Sequence, residues 1–124
     1  MILVDSSGWL EYLGGGPQAG SFAPALESRP ANILVPAICL YEVYKRILLL
    51  RSEDEALTAV GIMMRSSVEE ISSQIALRGA ELSVEHHLHM ADSLILATAQ
   101  FHEAELWTMD ADFAGLPGVR YFKR

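Results

Sequence analysis

Short apolar runs, set apart by stretches with helical periodicity, restrict this chain to one class of architecture. Ile2 to Asp5 is a continuous apolar run closed by an acid, Ile33-Leu34-Val35 is a second stopped by Pro36, and Leu106-Trp107-Thr108 is a third. Val68 to Ile71 and Val119 to Phe122 are further strand candidates. Runs without inward–outward alternation suit strands buried on both faces of a parallel sheet. The intervening patterns predict helices over Ser6–Leu13, Ala19–Ser28, Pro36–Leu50, Glu53–Arg65, Ser72–Val84 and Met90–Glu103, with Pro36 suited to a helix start. Gly14-Gly15-Gly16-Pro17 reads as the most flexible loop. Alternating strands and helices predict an α/β sheet covered by helices on both faces. Ligands of such open sheets bind beyond the carboxyl ends of the strands. Asp5 closes the first strand, and Asp110 lies two residues past Thr108.

The 124 residues fit one domain spanning positions 1–124, and a 51% hydrophobic content supplies its core. Nine basic against sixteen acidic residues leave a net charge of -7. Proteins that coat nucleic acid neutralise many phosphates with Lys and Arg, so this balance excludes that class. If the chain handles nucleic acid, a bound divalent metal is the obvious source of positive charge. A lone cysteine, Cys39, excludes an internal disulfide and CxxC zinc sites, which suits a reducing cytoplasm. The opening Met-Ile-Leu-Val-Asp lacks the basic start of a signal peptide, and no apolar run approaches the roughly 18 residues of a membrane span. The expectation is a soluble cytoplasmic protein. A mean hydropathy of +0.23 points to an apolar face buried in a dimer or against a partner.

Five acids carry the chemical argument, and each has an ordinary alternative. Asp5, followed by Ser6 and Ser7, could be a helix N-cap. Glu42 precedes Lys45 and Arg46 at i+3 and i+4, the favoured spacing for a solvated helical ion pair, and lies on the wheel opposite Leu40, Val43, Ile47 and Leu50. Asp92 is harder to set aside. It is the only charge in Met90 to Ala99, a helix apolar nearly all round. A buried carboxylate costs several kcal/mol unless paired or metal-bound, with partial relief from the helix N-terminus. Asp110 and Asp112, at i and i+2 in a loop, suit Asx turns but equally suit oxygen ligation of a hard cation. If these acids converge, neighbours about 4 Å apart repel by roughly 4 kcal/mol per pair at an effective dielectric near 20. A fold rarely keeps such repulsion without a cation. All-oxygen ligation fits Mg²⁺ or Mn²⁺, which activate water and offset charge in phosphoryl transfer.

The ordered set Val-Asp-Ser-Ser (4–7), Tyr-Glu (41–42), Met-Ala-Asp-Ser-Leu-Ile (90–95) and Thr-Met-Asp-Ala-Asp-Phe (108–113) resembles the PIN domain family, in particular its VapC-type toxins. The resemblance runs over nearly the whole chain. It implies a three-layer α/β/α sandwich with a central parallel sheet, and a Mg²⁺- or Mn²⁺-dependent endoribonuclease, often the toxin of a toxin–antitoxin pair. Asp5, Glu42, Asp92 and Asp110 take the family's acidic positions, and Asp112 a position more variable in role. Ser6 and Thr108 match the hydroxyl residues that support the site. The resemblance also implies a homodimer and an antitoxin whose C-terminal segment covers the acidic pocket, often with an Arg. Lys45 and Arg46, one turn beyond Glu42, are candidates to hold RNA phosphates, with the ion pair to Glu42 as the alternative. His86, His87 and His89 crowd ahead of Asp92 and could reach the site, although three ordinary histidines at a helix end are the simpler account.

Other acidic α/β proteins fit less well. A haloacid dehalogenase phosphatase needs a second Asp two residues after the first, where this chain has Ser7. A phospho-receiver domain needs an acidic pair at the end of the first strand and a Lys after a late strand, and neither is evident. A non-catalytic binding module with a solvated acidic face is the remaining alternative, distinguishable by whether metal stabilises the fold.

Overall fold

A computed structural model describes all residues 1–124. In chain order the elements are β1 (Ile2–Val4), α1 (Ser6–Leu13), α2 (Ala19–Leu26), β2 (Ile33–Pro36), α3 (Ala37–Leu50), α4 (Glu53–Met63), β3 (Ser67–Glu69), α5 (Ser73–His86), α6 (Met90–Phe101), β4 (Glu105–Thr108) and β5 (Val119–Tyr121). Short 3₁₀ turns at Pro30–Asn32 and Ala111–Phe113 complete the chain. The five strands form one sheet in the order β3-β2-β1-β4-β5, and every neighbouring pair is parallel.

Successive residues of a strand point to opposite faces. Leu3 and Val4 in β1, and Leu34 and Val35 in β2, are all at most 1% exposed. Both faces of the sheet are therefore covered by helices, as the unbroken apolar runs predict. Trp9 from α1, Phe22 from α2, Val43 from α3, Met63 from α4, Ile75 from α5 and Ile95 from α6 join the same core.

The predicted elements all form, with shifted ends. Pro36 closes β2, opposite Glu69 of β3, rather than opening α3; its φ of -61° serves either place, and its ψ of 139° is extended. The strand expected over Val68–Ile71 sits at Ser67–Glu69, because Ser72 already caps the next helix by accepting the Ile75 N–H at 3.1 Å. α5 continues to His86 and stops where His87 takes a left-handed conformation, φ 56°. Ser52 starts α4 in the same way as Ser72 starts α5, accepting from the Glu55 N–H.

The turn from β1 into α1 has no spare room. A Cβ on Gly8 would lie 2.5 Å from Val4 Cγ1 and 2.7 Å from Phe22 Cε1, and both neighbours are fully buried. The Gly8 N–H also donates to Asp5 Oδ1 at 3.1 Å, so forcing the helix away would loosen Asp5. Gly8→Ala is expected to destabilise the protein by about 1–3 kcal/mol through overpacking, measured by denaturant unfolding. A stability equal to that of the parent chain would show that β1 and α1 can separate freely.

Candidate active site

The strand order reverses direction at β1: the chain moves outward to β2 and β3, then returns to β4 on the other side. The crevice at such a switch point, beyond the carboxyl ends of β1 and β4, is where open α/β sheets bind ligands. Asp5 follows β1 and is only 4% exposed. Its Oδ1 accepts from the Ser7 hydroxyl at 2.6 Å and from the Gly8 N–H, and its Oδ2 accepts from the Thr108 hydroxyl at 2.5 Å. It caps α1 and sits in the acidic crevice, so the capping and functional readings are compatible. A carboxylate offers about four acceptor positions, and three of those on Asp5 are filled from within the protein.

The remaining acids arrive from three other elements. α3 carries Glu42, whose Oε1 accepts from the Ser6 hydroxyl at 2.5 Å. Asp92 stands in the first turn of α6. Asp110 caps the 3₁₀ turn after β4 and accepts from the Asp112 N–H at 2.9 Å. Carboxylate oxygens of Asp92, Asp110 and Asp112 lie within 4.8 Å of one another. None of the five acids forms an ion pair with Lys, Arg or His. Converging carboxylates with no cationic side chain bound to them are an all-oxygen donor set of the kind that holds Mg²⁺ or Mn²⁺.

The helical ion pair of Glu42 does not form. Lys45 instead lies 5.6 Å from the centre of the Tyr41 ring and does not border the crevice. Arg46 does border it, as does Leu50, whose expected place on the face opposite Glu42 is corrected: residues 42, 46 and 50 are one turn apart and line the same groove, while Val43 is buried and Leu40 and Ile47 pack against the core as expected. Leu50 is 63% exposed rather than part of the core. The groove encloses about 1070 Å³ between α1 on one side and the α3–α4 hairpin on the other. None of His86, His87 and His89 borders it; His86 lies 3.6 Å from Glu85.

Ser7 is the functional residue that sequence reasoning missed. Its hydroxyl donates to Asp5 and accepts the Met109 N–H at 3.1 Å. Thr108 does the same in parallel, donating to Asp5 and accepting the Asp110 N–H at 2.9 Å. Two hydroxyls thus bridge one carboxylate to the loop that carries Asp110. The Ser-Ser doublet was visible in the sequence, but its second partner lies 102 residues away.

Burial is the main cause that raises Asp5 to about 6, against the lowering effect of its three donors, and nearby Asp110 adds to the rise. Asp92 is raised to about 7, first by burial and then by the negative charge of Asp110, Glu42, Asp5 and Asp112. A carboxyl group that binds its proton more tightly when folded makes stability fall as pH rises. The window runs from the unfolded value near 4 to the folded values near 6 and 7. In chelator-treated protein the melting temperature is expected to drop as pH rises from about 4.5 to 7.5. Asp92→Asn should flatten much of that slope and leave the metal-free fold as stable or more so at neutral pH. A slope unchanged by Asp92→Asn would contradict the crowding.

Ser7→Ala leaves the Met109 N–H, on a residue 4% exposed, without its acceptor. A loss on the order of 1 kcal/mol is expected from that unmet donor. Ser7→Thr should restore most of it, as read by thermal unfolding.

Comparison with known proteins agrees with this architecture. The family model described as PIN domain matches residues 2–119. The chain superposes on a protein of a toxin–antitoxin complex from Klebsiella pneumoniae with a TM-score of 0.82 and 31% identity, covering 100% of both chains. Mycobacterium tuberculosis VapC20, a Sarcin-Ricin loop cleaving toxin, aligns with a TM-score of 0.75 and 18% identity over 92% of each chain. VapBC2 from Rickettsia felis, bound to a promoter DNA fragment, gives 0.75 at 17% identity over 99% of this chain and 98% of the other. No curated protein sequence matches this chain closely. With its all-parallel five-stranded sheet and an acidic crevice at the switch point, the chain belongs to the PIN domain family.

Proposed function

We propose that this protein is a Mg²⁺- or Mn²⁺-dependent endoribonuclease acting as the toxin of a toxin–antitoxin pair. The observation that carries the reading is that Asp92, Asp110 and Asp112 bring carboxylate oxygens within 4.8 Å of one another, while Asp5 and Glu42 border the same groove as Asp92 and Asp110, with no cationic side chain paired to any of the five. Asp92, Asp110 and Asp112 would hold a cation most directly. Asp5 and Glu42, whose charges act on Asp92, would add to the negative field. A divalent ion bound there supplies an activated water and offsets charge on the phosphoryl group. The side chains themselves orient and exclude. Ser6 holds Glu42 while Thr108 and Ser7 hold Asp5, so Ser6 and Thr108 serve as positioning groups rather than RNA contacts. Arg46 borders the groove without an ion pair and would take an RNA phosphate.

The likeness to toxin–antitoxin structures supports a cognate antitoxin as partner, covering the groove. Exposed Leu77, Val84, Met90 and Phe101 on α5 and α6 support burial of an apolar face in a homodimer. No helix of the chain is long and apolar enough to cross a membrane, in keeping with action in the cytoplasm.

Digestion of total RNA with mapping of the cut ends tests the proposal. Cleavage is expected with Mg²⁺ or Mn²⁺, to stop with EDTA, and to fall by at least about 100-fold in Asp5→Asn and Asp92→Asn, the order of loss for a group acting on the transition state. The same metals should raise the melting temperature of the parent chain. Full cleavage by Asp92→Asn would overturn the site. A melting temperature indifferent to metal, with no cleavage, would favour a non-catalytic acidic module.

A further inference from the structure

Along the carboxyl edge of the sheet the chain places charge in a fixed order. Arg46 stands on α3, which follows β2; Asp5 follows β1; Asp110 follows β4; and Arg124 lies three residues beyond β5. All four border the same groove. Two guanidinium groups thus border the groove that holds the acids, on segments that follow β2 and β5.

Neither is committed elsewhere. Arg46 and Arg124 make no ion pair. The other guanidinium bordering the groove, Arg51, is bound to Glu55 at 3.0 Å. Arg120 is stacked 4.6 Å over the Trp107 ring and 5.7 Å from that of Phe122. The segment that carries Arg124 is held in place. The Phe122 N–H donates to the Thr108 carbonyl at 2.8 Å, and its ring packs 5.0 Å from Phe22 and 5.5 Å from Trp107. Gln18 Nε2 donates to the Lys123 carbonyl at 2.7 Å.

We infer that Arg124 is a phosphate contact for the RNA strand, opposite Arg46 across the acidic centre, so that the strand crosses the carboxyl edge of the sheet from β2 toward β5. The inference rests on the reading of the substrate as RNA. In a chain of net charge -7, a polyanion reaches five carboxylates only where cations receive its other phosphates. Guanidinium is suited to that task because it binds phosphate in a planar two-point fashion. Arg46 and Arg124 follow β2 and β5, strands on opposite sides of the switch point, so the two arginines would grip different phosphates with the cut between them, as internal cleavage requires.

The test uses Asp92→Asn protein, to prevent cutting, and a labelled mixed-sequence single-stranded RNA of about 20 nucleotides, with anisotropy read from roughly 50 to 200 mM NaCl, where phosphate contacts dominate the salt response. Adding Arg124→Gln should weaken binding about 3- to 10-fold and flatten the log–log salt slope by about 0.7, one single-strand phosphate contact. Arg46→Gln should act alike, and the double variant should flatten it by about twice as much. Arg124→Lys should keep the slope, and Arg65→Gln, exposed and away from the groove, should change neither quantity. An unchanged slope in Arg124→Gln beside a flattened one in Arg46→Gln would remove Arg124 from the path and leave the RNA reading standing. Absence of any salt-dependent binding by Asp92→Asn protein itself would overturn both.

Discussion

Asp5 joins the two halves of the sheet's switch point. It is buried, it ends β1, and it receives hydroxyls from Ser7 on one side and Thr108 on the other, which in turn accept the N–H groups of Met109 and Asp110. Main-chain groups that would otherwise lie unpaired at the end of β4 are satisfied through this one carboxylate. The position of the loop carrying Asp110 and Asp112 thus depends on a residue more than a hundred positions earlier. Charge-assisted hydrogen bonds of this kind are shorter and stronger than neutral ones, and their directionality sets where the next acid stands. The steric fit of Gly8 against Val4 and Phe22 serves the same end, since it fixes the helix start that supplies a further donor to Asp5.

Such crowding opposes folding. Each pair of carboxylates near 4 Å adds roughly 4 kcal/mol of repulsion at an effective dielectric near 20, and burial adds to it. Asp92, raised to about 7, shows the result: near neutral pH the metal-free crevice shares in proton binding rather than holding its full negative charge. A protein stabilised by matched charges would place a lysine or arginine among these acids. This one pairs none of the five with a lysine or arginine and leaves the centre unbalanced. Local features that conflict with stability and persist are where function is expected.

Much of this was legible from residues alone because the governing signals are short-range. Unbroken apolar triplets announced strands covered on both faces, and Asp92 within an apolar helix announced a charge with a purpose. Element ends were read less well where one residue serves two elements, as Pro36 does between β2 and α3. The helical wheel misled at Glu42. Spacing alone offered Lys45 and Arg46 as its partners, but the partner is Ser6, at a separation of 36 residues, which no local pattern reveals. The part of Ser7 was hidden for a similar reason: its partner Met109 is brought to it by the parallel pairing of β1 with β4, and that adjacency exists only once the sheet has formed.

The same geometry divides the acids by what each can offer. Asp5 has three of its acceptor positions filled by Ser7, Gly8 and Thr108, so at most one lone pair, on Oδ2, remains for a cation. Glu42 has one hydroxyl donor and Asp110 one backbone donor, leaving each with most of its acceptor capacity. Asp92 accepts no hydrogen bond from a protein side chain or backbone donor outside its helix, and it feels the charge of all four other acids. Asp92 and Asp112, whose carboxylates accept no internal hydrogen bond, are therefore the acids most in need of a cation, and Asp5, which accepts the most, is the one that holds the frame. The bonds that set the shape of the crevice run between protein groups, so a cation bound among these acids would be exchangeable without loss of that shape.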